Sequence, residues 1–467
     1  MVGSDGQALR DQFDPHLRVA QKDFVKERGR HAQMIDDDDR SPQIGRQMPQ
    51  EPDIGVEPSG RAPTQTTGKP FASLAVFIDC PRWRFVVQSA IFSMPILLCN
   101  SIAICIQHLV LYLSPTWICG DKLDIHALKK LLQRHLSDGL VTVVGSGLSC
   151  AEGLPGMTEL ATHLRGAIGA GLAAIDAECW EKLSPLIAAK GLEAAMLQIA
   201  PTPALEAEIV ARTAELIGDR EREIVAQIFA KKKKLRFTRL LPHLLKPTTG
   251  VPVVTTNYDR LIEIAAEEAG LGVDTMFVGR FAGTLDEKQS RLSFCQDVTV
   301  RAKSVRFLYR SRVNVFKPHG SLDWYHREGK PVQYAGELPL ARLIITPGLN
   351  KFRNGYESPF DKHRDRANSA IDRAMRFLII GYGFNDDHLE THLTPRIRGG
   401  IPTLLLTYEL SPNAIKLTKE CPNVIAIQHA SLGGNDGSSV IVNKTETYLP
   451  DLALWELDTF VTEVLEP

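Results

Sequence analysis

Residues Val141-Thr-Val-Val-Gly-Ser-Gly-Leu-Ser149 decide how this chain folds. The run starts with a short, mostly apolar and β-branched segment, which is typical of a strand buried in a parallel sheet. Gly145 and Gly147 follow at once, and glycine lets a backbone turn sharply and approach a ligand closely. Pro155 and Gly156 then lead into a predicted helix, whose first amides can meet an anion. The stretch therefore predicts a strand that ends in a tight, ligand-facing turn.

Three later segments place polar residues at the ends of predicted strands. They are Thr255-Thr-Asn-Tyr-Asp259, Lys317-Pro-His-Gly-Ser321 and Gly381-Tyr-Gly-Phe-Asn-Asp386. Predicted strands and helices alternate through this part of the chain, which indicates a parallel sheet with helices on both faces. The fold class predicted is α/β, with a Rossmann-like, doubly wound parallel sheet. Because ligands bind beyond the carboxyl ends of such strands, we expect all four segments to meet at one site.

Each of these segments also has a structural interpretation. Asn257 or Asp259 could serve as the N-cap of the next helix, and Asn385 or Asp386 could cap the helix after the last segment. A lone histidine is usually structural, but His319 lies at a strand end beside a glycine. An imidazole in that position can take a proton from a hydroxyl group at neutral pH. The first turn is not the dehydrogenase fingerprint, because Cys150 replaces its third glycine.

Composition narrows the class of protein. The chain has 467 residues and a formal net charge of −1, and this balance does not indicate nucleic-acid binding. Its 8 cysteines include no C-x-x-C pair, which argues against a zinc ribbon. The scattered cysteines do not suggest a disulfide scaffold either, and reduced thiols in the cytoplasm are the simpler interpretation.

The chain divides into three predicted parts. Residues 1–70 are expected to be a disordered tail, because they carry few large apolar residues. Residues 71–120 form an apolar segment, in which the uncharged run 85–113 is long enough to span a bilayer. Three interpretations of it stay open: a membrane anchor with the later domain in the cytosol, a buried helix, and a gene start assigned too far upstream. Residues 121–467 are expected to form the α/β domain, with a helical insertion at about 157–247.

Two further patterns are assigned no function. His388 and His392 stand four residues apart and could ligate a metal, but they lack the H-E-x-x-H order, so no metal site is predicted. The four lysines at 231–234 are interpreted as a solvated helix end rather than a nucleic-acid site.

In this order the four segments resemble the sirtuin family, and more closely the sirtuin-like NAD hydrolase domains of bacterial antiphage defence proteins. The likeness covers about residues 122–430. The segment from Gly145 to Pro155 resembles the first NAD loop, Gly-Ala-Gly-x-Ser and then Gly-x-Pro. Residues 256–259 resemble Gln-Asn-x-Asp with Thr256 in the glutamine place, and His319 matches the catalytic His-Gly. Residues 381–386 are similar to the late ribose and phosphate loop.

The resemblance implies that NAD is the substrate, and it implies a role for each matching position. His319 would be the base and Asn257 the second catalytic residue, while Asp259 would contact the nicotinamide side. The other residues implied in NAD binding are Gly145, Ser146, Gly147, Ser149, Pro155, Thr256, Gly381, Tyr382, Asn385 and Asp386.

Departures from the family pattern shape the predicted activity. The deacylases of the family carry two C-x-x-C pairs for zinc, which this chain lacks, so no zinc is expected. The glutamine before Asn257 is missing, and no Asp-Phe-Arg follows Pro155. These losses favour water as the acceptor, which makes the first hypothesis an NAD glycohydrolase (NADase) in antiphage defence. The alternatives are a protein deacylase or ADP-ribosyltransferase, and a module that senses NAD or ADP-ribose without chemistry. A homo-oligomer or a defence-system partner stays open.

Overall fold

The computed structural model describes residues 124–169, 171–301, 304–346 and 357–466. The predicted tail and the apolar segment lie outside these ranges, so their assignments stay predictions. None of the helices within the ranges is long and apolar enough to cross a membrane.

The described chain contains sixteen strands and thirteen α-helices, numbered separately in chain order. The strands are β1 (Leu140–Val144), β2 (Val251–Thr255), β3 (Gly272–Asp274), β4 (Phe277–Val278), β5 (Gly283–Leu285), β6 (Cys295–Arg301), β7 (Ser304–Tyr309), β8 (Arg312–Phe316), β9 (Gly320–Arg327), β10 (Lys330–Gln333), β11 (Arg342–Ile344), β12 (Arg376–Ile380), β13 (Thr403–Thr407), β14 (Val424–Leu432), β15 (Asn435–Val442) and β16 (Thr445–Pro450). The helices are α1 (Ile125–His135), α2 (Ser146–Ala151), α3 (Met157–Ala167), α4 (Ala174–Lys190), α5 (Leu192–Gln198), α6 (Pro203–Phe229), α7 (Arg236–Leu240), α8 (Leu261–Glu268), α9 (Glu287–Ser293), α10 (Phe360–Arg373), α11 (Asp387–Arg398), α12 (Pro412–Glu420) and α13 (Leu457–Phe460).

The main sheet confirms the predicted fold class. Its strand order is β16-β15-β14-β13-β12-β1-β2-β8-β3. From β14 to β3 every neighbouring pair runs parallel. From β1 the order runs through β2 to β8 on one side and through β12 to β14 on the other. The strand order therefore reverses between β1 and β12. This is the switch point of a doubly wound sheet, where a crevice opens at the carboxyl ends of the strands.

Both faces of the parallel strands are buried, as their nearly continuous apolar sequences predict. Alternate residues of one strand enter two different cores: Val141 and Val143 pack on one side, and Val144 packs on the other. The first core includes residues of α10, α11 and α12, and the second includes residues of α1, α7 and α8. In the main sheet the antiparallel pairs are those of β15 with β14 and of β16 with β15, at one edge.

Helices α3 to α7 lie between β1 and β2 in the chain. Several of them share an apolar core of their own, which includes Trp180, Leu183 and Leu205. The hydrophobic spacing predicts two helices here, 205–217 and 221–230, but α6 is one continuous helix that includes Gly218. A glycine inside a helix costs only about 1 kcal/mol, which the packing of a long helix can offset. The boundaries of the helical insertion remain predictions.

A second, separate sheet includes the strand that follows His319 in the chain. It has the order β11-β9-β10-β5-β4 and is antiparallel. Its strand β9 begins at Gly320, directly after His319, with a φ of +91°. A Cβ at this glycine would lie 2.0 Å from the carbonyl oxygen of Leu343, so the position admits glycine alone. The turn at His319 is therefore fixed by the junction of two sheets.

Two buried histidines hold helices to the strands. His135 of α1 lies with Nε2 2.8 Å from the carbonyl oxygen of Phe377 in β12. His363 of α10 accepts at Nδ1 from the backbone N–H of Lys317, 3.1 Å away. Burial lowers the pKa of His135 to about 4, and burial together with the charge of Lys317 lowers the pKa of His363 to about 3. Both rings are therefore neutral at physiological pH.

These histidines predict a loss of stability in mild acid. Below about pH 6.5 they bind protons in the unfolded chain but not in the folded one, so the free energy of unfolding falls as the pH falls. Each should cost about 1.4 kcal/mol per pH unit between pH 6.5 and its folded pKa. Urea unfolding at intervals from pH 8 to pH 5 measures this slope.

The variant His363→Asn isolates one of the two contributions. Asparagine can still accept from Lys317, so the slope below pH 6.5 should lose about 1.4 kcal/mol per unit. The exposed His126→Asn is the matched control and should leave the slope unchanged. An identical slope in His363→Asn and the parent chain would contradict a neutral, buried imidazole at position 363.

The turns after β1 and β12 pack backbone against backbone. Gly147 N–H donates to the carbonyl oxygen of Gly381 at 3.0 Å. A Cβ on Gly145 would lie 2.3 Å from that same oxygen, and one on Gly147 would lie 2.7 Å from the Cα of Gly381. The two turns can meet only because these positions carry no side chain.

We expect Gly145→Ala to lower the free energy of unfolding by about 1–3 kcal/mol, because the new methyl group overpacks a rigid contact. Urea denaturation measures the change. The control is Gly166→Ala inside α3, where a Cβ would meet no atom within 4 Å. That change should raise stability by up to about 1 kcal/mol, since alanine is the better helix former. Equal effects of the two variants would argue against the close contact.

Candidate functional site

All four polar segments line one cavity at the carboxyl ends of the parallel strands. Its volume is about 250 Å³. Eleven of the thirteen residues implied by the sequence line it: Gly145, Ser146, Ser149, Pro155, Thr256, Asn257, Asp259, His319, Tyr382, Asn385 and Asp386. The other two, Gly147 and Gly381, form the backbone contact behind it. The strands thus bring together residues that are up to 241 positions apart.

A hydrogen-bond network fixes the amide of Asn257. Its Nδ2 donates to the carbonyl oxygen of Gly145 at 2.9 Å and to Ser149 Oγ at 2.8 Å. The Ser149 hydroxyl donates in turn to Asp259 Oδ2 at 2.7 Å. Both amide hydrogens of Asn257 are therefore used, which leaves Oδ1 as an acceptor for a ligand hydroxyl or a water.

Both carboxylate oxygens of Asp259 accept hydrogen bonds from protein groups. Oδ2 accepts from Ser149, and Oδ1 accepts from the backbone N–H of Leu261 at 3.1 Å, at the start of α8. The N-cap of α8 is Arg260 and no side chain of the described residues caps this helix, so the prediction that Asn257 or Asp259 is the N-cap is wrong. The bond from Leu261 to Asp259 is instead an Asx-type contact one residue before the cap. Asp259 lines the cavity, but its side chain cross-links the first and second segments.

Lys317 is a site residue that the sequence did not single out. Its side chain is fully buried, and Nζ donates to the carbonyl oxygen of Asp259 and to Glu263 Oε1, the latter at 3.0 Å. Burial raises the pKa of Glu263, while the ammonium of Lys317 opposes that shift. A buried lysine is rare without such partners. Lys317 therefore ties the short turn between β8 and β9, which carries His319, to the loop that carries Asn257.

His319 and Asp386 are in direct contact inside the cavity. Nε2 of the ring lies 2.7 Å from Asp386 Oδ2, and both side chains are about nine-tenths buried. The distance is that of a charge-assisted hydrogen bond, although the ring N–H is not aligned with the carboxylate. A small rotation about the soft χ2 torsion of the ring aligns the N–H with the carboxylate. The other oxygen of Asp386 accepts from Leu389 N–H at 3.0 Å and caps α11.

Two tyrosines beside the cavity have hydroxyl groups that are already engaged. Tyr382 donates to Glu390 Oε1 at 3.1 Å, and Tyr258 donates to the carbonyl oxygen of Ile345 at 2.7 Å. Burial raises the pKa of both phenols, so they stay protonated. Burial also raises the pKa of Glu390. Tyr382 contributes mainly its ring to this part of the wall.

The helices between β1 and β2 also reach the cavity. Met157, Glu193 and Ile217 line it, and no sequence motif marks them. The fully buried Glu221 of α6 accepts from the backbone N–H and the guanidinium of Arg260, the residue after Asp259. Burial raises the pKa of Glu221, and Arg260 opposes the shift. This contact holds α6 against the segment that carries Asn257.

A longer groove adjoins the cavity. Its volume is about 820 Å³, and it runs between α5 and the helices α11 and α12. The two spaces share the lining residues Met157, Glu193 and Asn385. A ligand longer than the cavity can therefore continue into the groove. Among the described residues, no three His, Cys, Asp or Glu side chains are grouped closely enough to hold a metal ion.

Several solved structures are similar to this chain. One is a Sir2 homologue in complex with NAD, 14% identical, with 74% of this chain and 96% of that one covered and a TM-score of 0.35. Another, described as showing the structural basis of sirtuin substrate affinity, is 13% identical over 62% of this chain and 90% of that one, with a TM-score of 0.30. Sir2Tm bound to a propionylated peptide is 14% identical over 61% and 87%, with a TM-score of 0.29. TM-scores this low do not establish a shared fold.

The two sequence comparisons gave different results. No curated protein matches the chain. Residues 251–402 match the family model described as a SIR2-like domain, and they include the segments at Asn257, His319 and Asp386. The chain therefore carries a SIR2-like domain.

Proposed function

We propose that this chain hydrolyses NAD to nicotinamide and ADP-ribose. The observation that carries the proposal is the single cavity in which Asn257, His319 and Asp386 meet the glycine turn after β1. The SIR2-like match over residues 251–402 supports an NAD-dependent enzyme. The cavity and its adjoining groove together offer the extended space that a dinucleotide needs.

The phosphates of NAD would lie against the turn after β1 and the start of α3. Gly145 and Gly156 precede α2 and α3, and no described side chain caps either helix. In α2 the N–H of Gly147 is already bonded to Gly381, but the N–H of Ser146 and the first N–H groups of α3 have no acceptor among the described residues. These groups are available to an anion, which the helix dipole also favours. Ser146, Pro155 and Gly156 line the cavity at this point.

The chemical step is the departure of nicotinamide from the ribose. The C1′–N bond breaks, its electron pair stays on the nicotinamide nitrogen, and positive charge develops on the ribose. The carboxylates of Asp386 and Glu193 in the cavity wall can stabilise that charge. A water held by Asn257 Oδ1 then adds its oxygen to C1′, and its proton passes to His319 and on to solvent.

Asp386 would act as a positioning residue for His319. With Nε2 against the carboxylate, Nδ1 is the ring nitrogen left to accept a proton. The carboxylate also stabilises the imidazolium that forms when the ring accepts that proton. The same logic operates in the serine-protease triad, where an aspartate sets the tautomer of the histidine.

Water is the acceptor that the cavity favours. Tyr258, Ile345 and residues of the helices between β1 and β2 line it, and the chain has no C-x-x-C pairs for the zinc ribbon that the resemblance associates with protein deacylases. Transfer of ADP-ribose to a protein, or removal of an acyl group from one, is the competing activity. An NAD-depleting enzyme fits antiphage defence, and we extend the proposal to that role.

The central prediction concerns His319→Ala. Purified full-length protein should release nicotinamide from NAD without any peptide, and the variant should be slower by about 10²–10⁴-fold because the base is lost. Chromatographic assay of free nicotinamide and ADP-ribose gives the rate. We also expect bacteria that express the parent chain to survive phage infection better than bacteria that express the variant.

His326→Ala is the matched control, since His326 is exposed in β9, the strand that begins just after His319. Its rate should equal that of the parent. Turnover that appears only after an acetylated peptide is added would favour deacylation over hydrolysis. A normal rate in His319→Ala would refute the site assignment.

Asp386→Asn tests the positioning role separately. Asparagine still caps α11, so the fold should hold. Its amide donates to Nε2, however, and forces the proton of the ring onto Nδ1. We expect kcat to fall by about 10²-fold or more while KM changes little, because the wrong tautomer cannot accept a proton.

The tautomer itself is measurable by NMR of protein labelled with ¹⁵N at histidine. The His319 ring should carry its proton on Nε2 in the parent chain and on Nδ1 in Asp386→Asn. Asp365→Asn, at an exposed position of α10 outside both the cavity and the groove, is the control for both readouts. An unchanged tautomer and kcat in Asp386→Asn would reduce Asp386 to a helix cap.

A further inference from the structure

A second cavity opens at the opposite end of the same strands. It has a volume of about 630 Å³ and lies at the amino ends of β1, β2 and β8. A strand of five residues spans roughly 17 Å, which is the approximate separation of this cavity from the four polar segments. None of the residues assigned to NAD lines it.

Three buried polar atoms in its lining have no hydrogen-bond partner in the part of the chain that the structure describes. They are Ser137 Oγ, Arg312 Nε and Asn314 Oδ1. Asp274 Oδ2 lies 3.6 Å from Arg312 Nε, which is beyond hydrogen-bond range. Unpaired buried polar atoms are rare in folded proteins, so these three atoms mark positions where a bound ligand or water supplies the missing partner.

The guanidinium of Arg312 is held ready for such a contact. Its two terminal nitrogens donate to the carbonyl oxygens of Thr248 and Thr249 at 3.1 Å each. Its central carbon lies 5.3 Å from the ring centres of both Phe294 and Tyr309. These contacts fix the group, and in the described part of the chain its Nε makes only the ion pair with Asp274 at 3.6 Å. Burial lowers the pKa of Arg312, and the charge of Asp274 opposes that shift.

The rim of the cavity carries an excess of positive charge. Five basic residues line it, against the three carboxylates Asp138, Asp274 and Glu287. Glu287 is paired with Arg366. Within the described ranges, Arg291 and Arg373 make no ion pair, and both are exposed. An anion at the rim would find two free guanidinium groups, which bind phosphate in a bidentate manner.

Between the rim and the buried polar atoms, the lining is apolar, with Val141, Val251 and Phe316 among its residues. We propose that this cavity binds a nucleoside monophosphate. The base would lie between the apolar walls, its edge would pair with Ser137, Arg312 and Asn314, and its phosphate would meet Arg291 and Arg373. A planar base combines two apolar faces with an edge of donors and acceptors, whereas a sugar carries hydroxyl groups around its ring and a free phosphate has no apolar surface. This proposal is independent of NAD hydrolysis.

Calorimetric titration of the full chain with AMP tests the proposal. Binding should weaken by about tenfold or more in the double variant Arg291→Gln/Arg373→Gln, because both phosphate contacts are lost. Lys288→Gln, on the same helix but outside the cavity, should bind as the parent does. Adenosine and inorganic phosphate should each bind at least about tenfold more weakly than AMP.

Ser137→Ala gives a readout that a purely structural serine would not. Its hydroxyl has no partner, so its loss should leave the free energy of unfolding unchanged or slightly higher. AMP affinity should nevertheless fall by about three- to tenfold. No AMP binding at millimolar concentration would overturn the proposal. Binding that survives the cavity variants but is lost in Asn257→Ala would overturn it too, since AMP would then lie among the four polar segments.

Discussion

The close approach of two backbone turns is the constraint on which the candidate site depends. The turn after β1 and the turn after β12 touch through Gly145, Gly147 and Gly381, at distances that leave no room for a Cβ. Because β1 and β12 are hydrogen-bonded neighbours in register, the two turns leave the sheet at the same level. The contact brings Asp386, five residues after Gly381, to the mouth of the crevice at β1. Without it, the carboxylate that meets His319 would be carried on a differently placed loop.

Most of the polar groups at the site form hydrogen bonds with one another. A chain of hydrogen bonds joins the first and second segments and runs from Asn257 through Ser149 to Asp259. Lys317, the residue after β8, extends that chain toward His319. A buried network of this kind is rigid, because breaking any one bond leaves an unpaired group in a low-dielectric setting. The side chains of the site are therefore held in place before a ligand binds. A few remaining groups, such as Asn257 Oδ1, then orient the ligand.

The sequence predicts the parallel part of the sheet well and the rest of the fold poorly, for a physical reason. Strands such as β1 and β12 are buried on both faces, so their apolar runs are unmistakable and their glycine turns stand out. The edge strands β15 and β16 and the second sheet carry polar residues on one side and give a weaker signal. The four segments could be placed on one site because parallel strands end at the same edge. The contacts of Glu193, Lys317 and Glu221 could not, since they depend on how separate helices pack.

The two contacts of Asp386 show what geometry adds to a sequence motif. From the sequence alone, Asp386 is a helix cap or a ligand contact, and both interpretations concern its own position. The structure gives its two oxygens different tasks, one at the start of α11 and one at the ring of His319. A cap holds the carboxylate still, because the backbone N–H of Leu389 fixes one oxygen in place. That fixed oxygen pair can then orient the imidazole without the side-chain entropy cost that a free surface carboxylate would carry. The stability of the helix and the placement of the proposed base thus rest on one side chain.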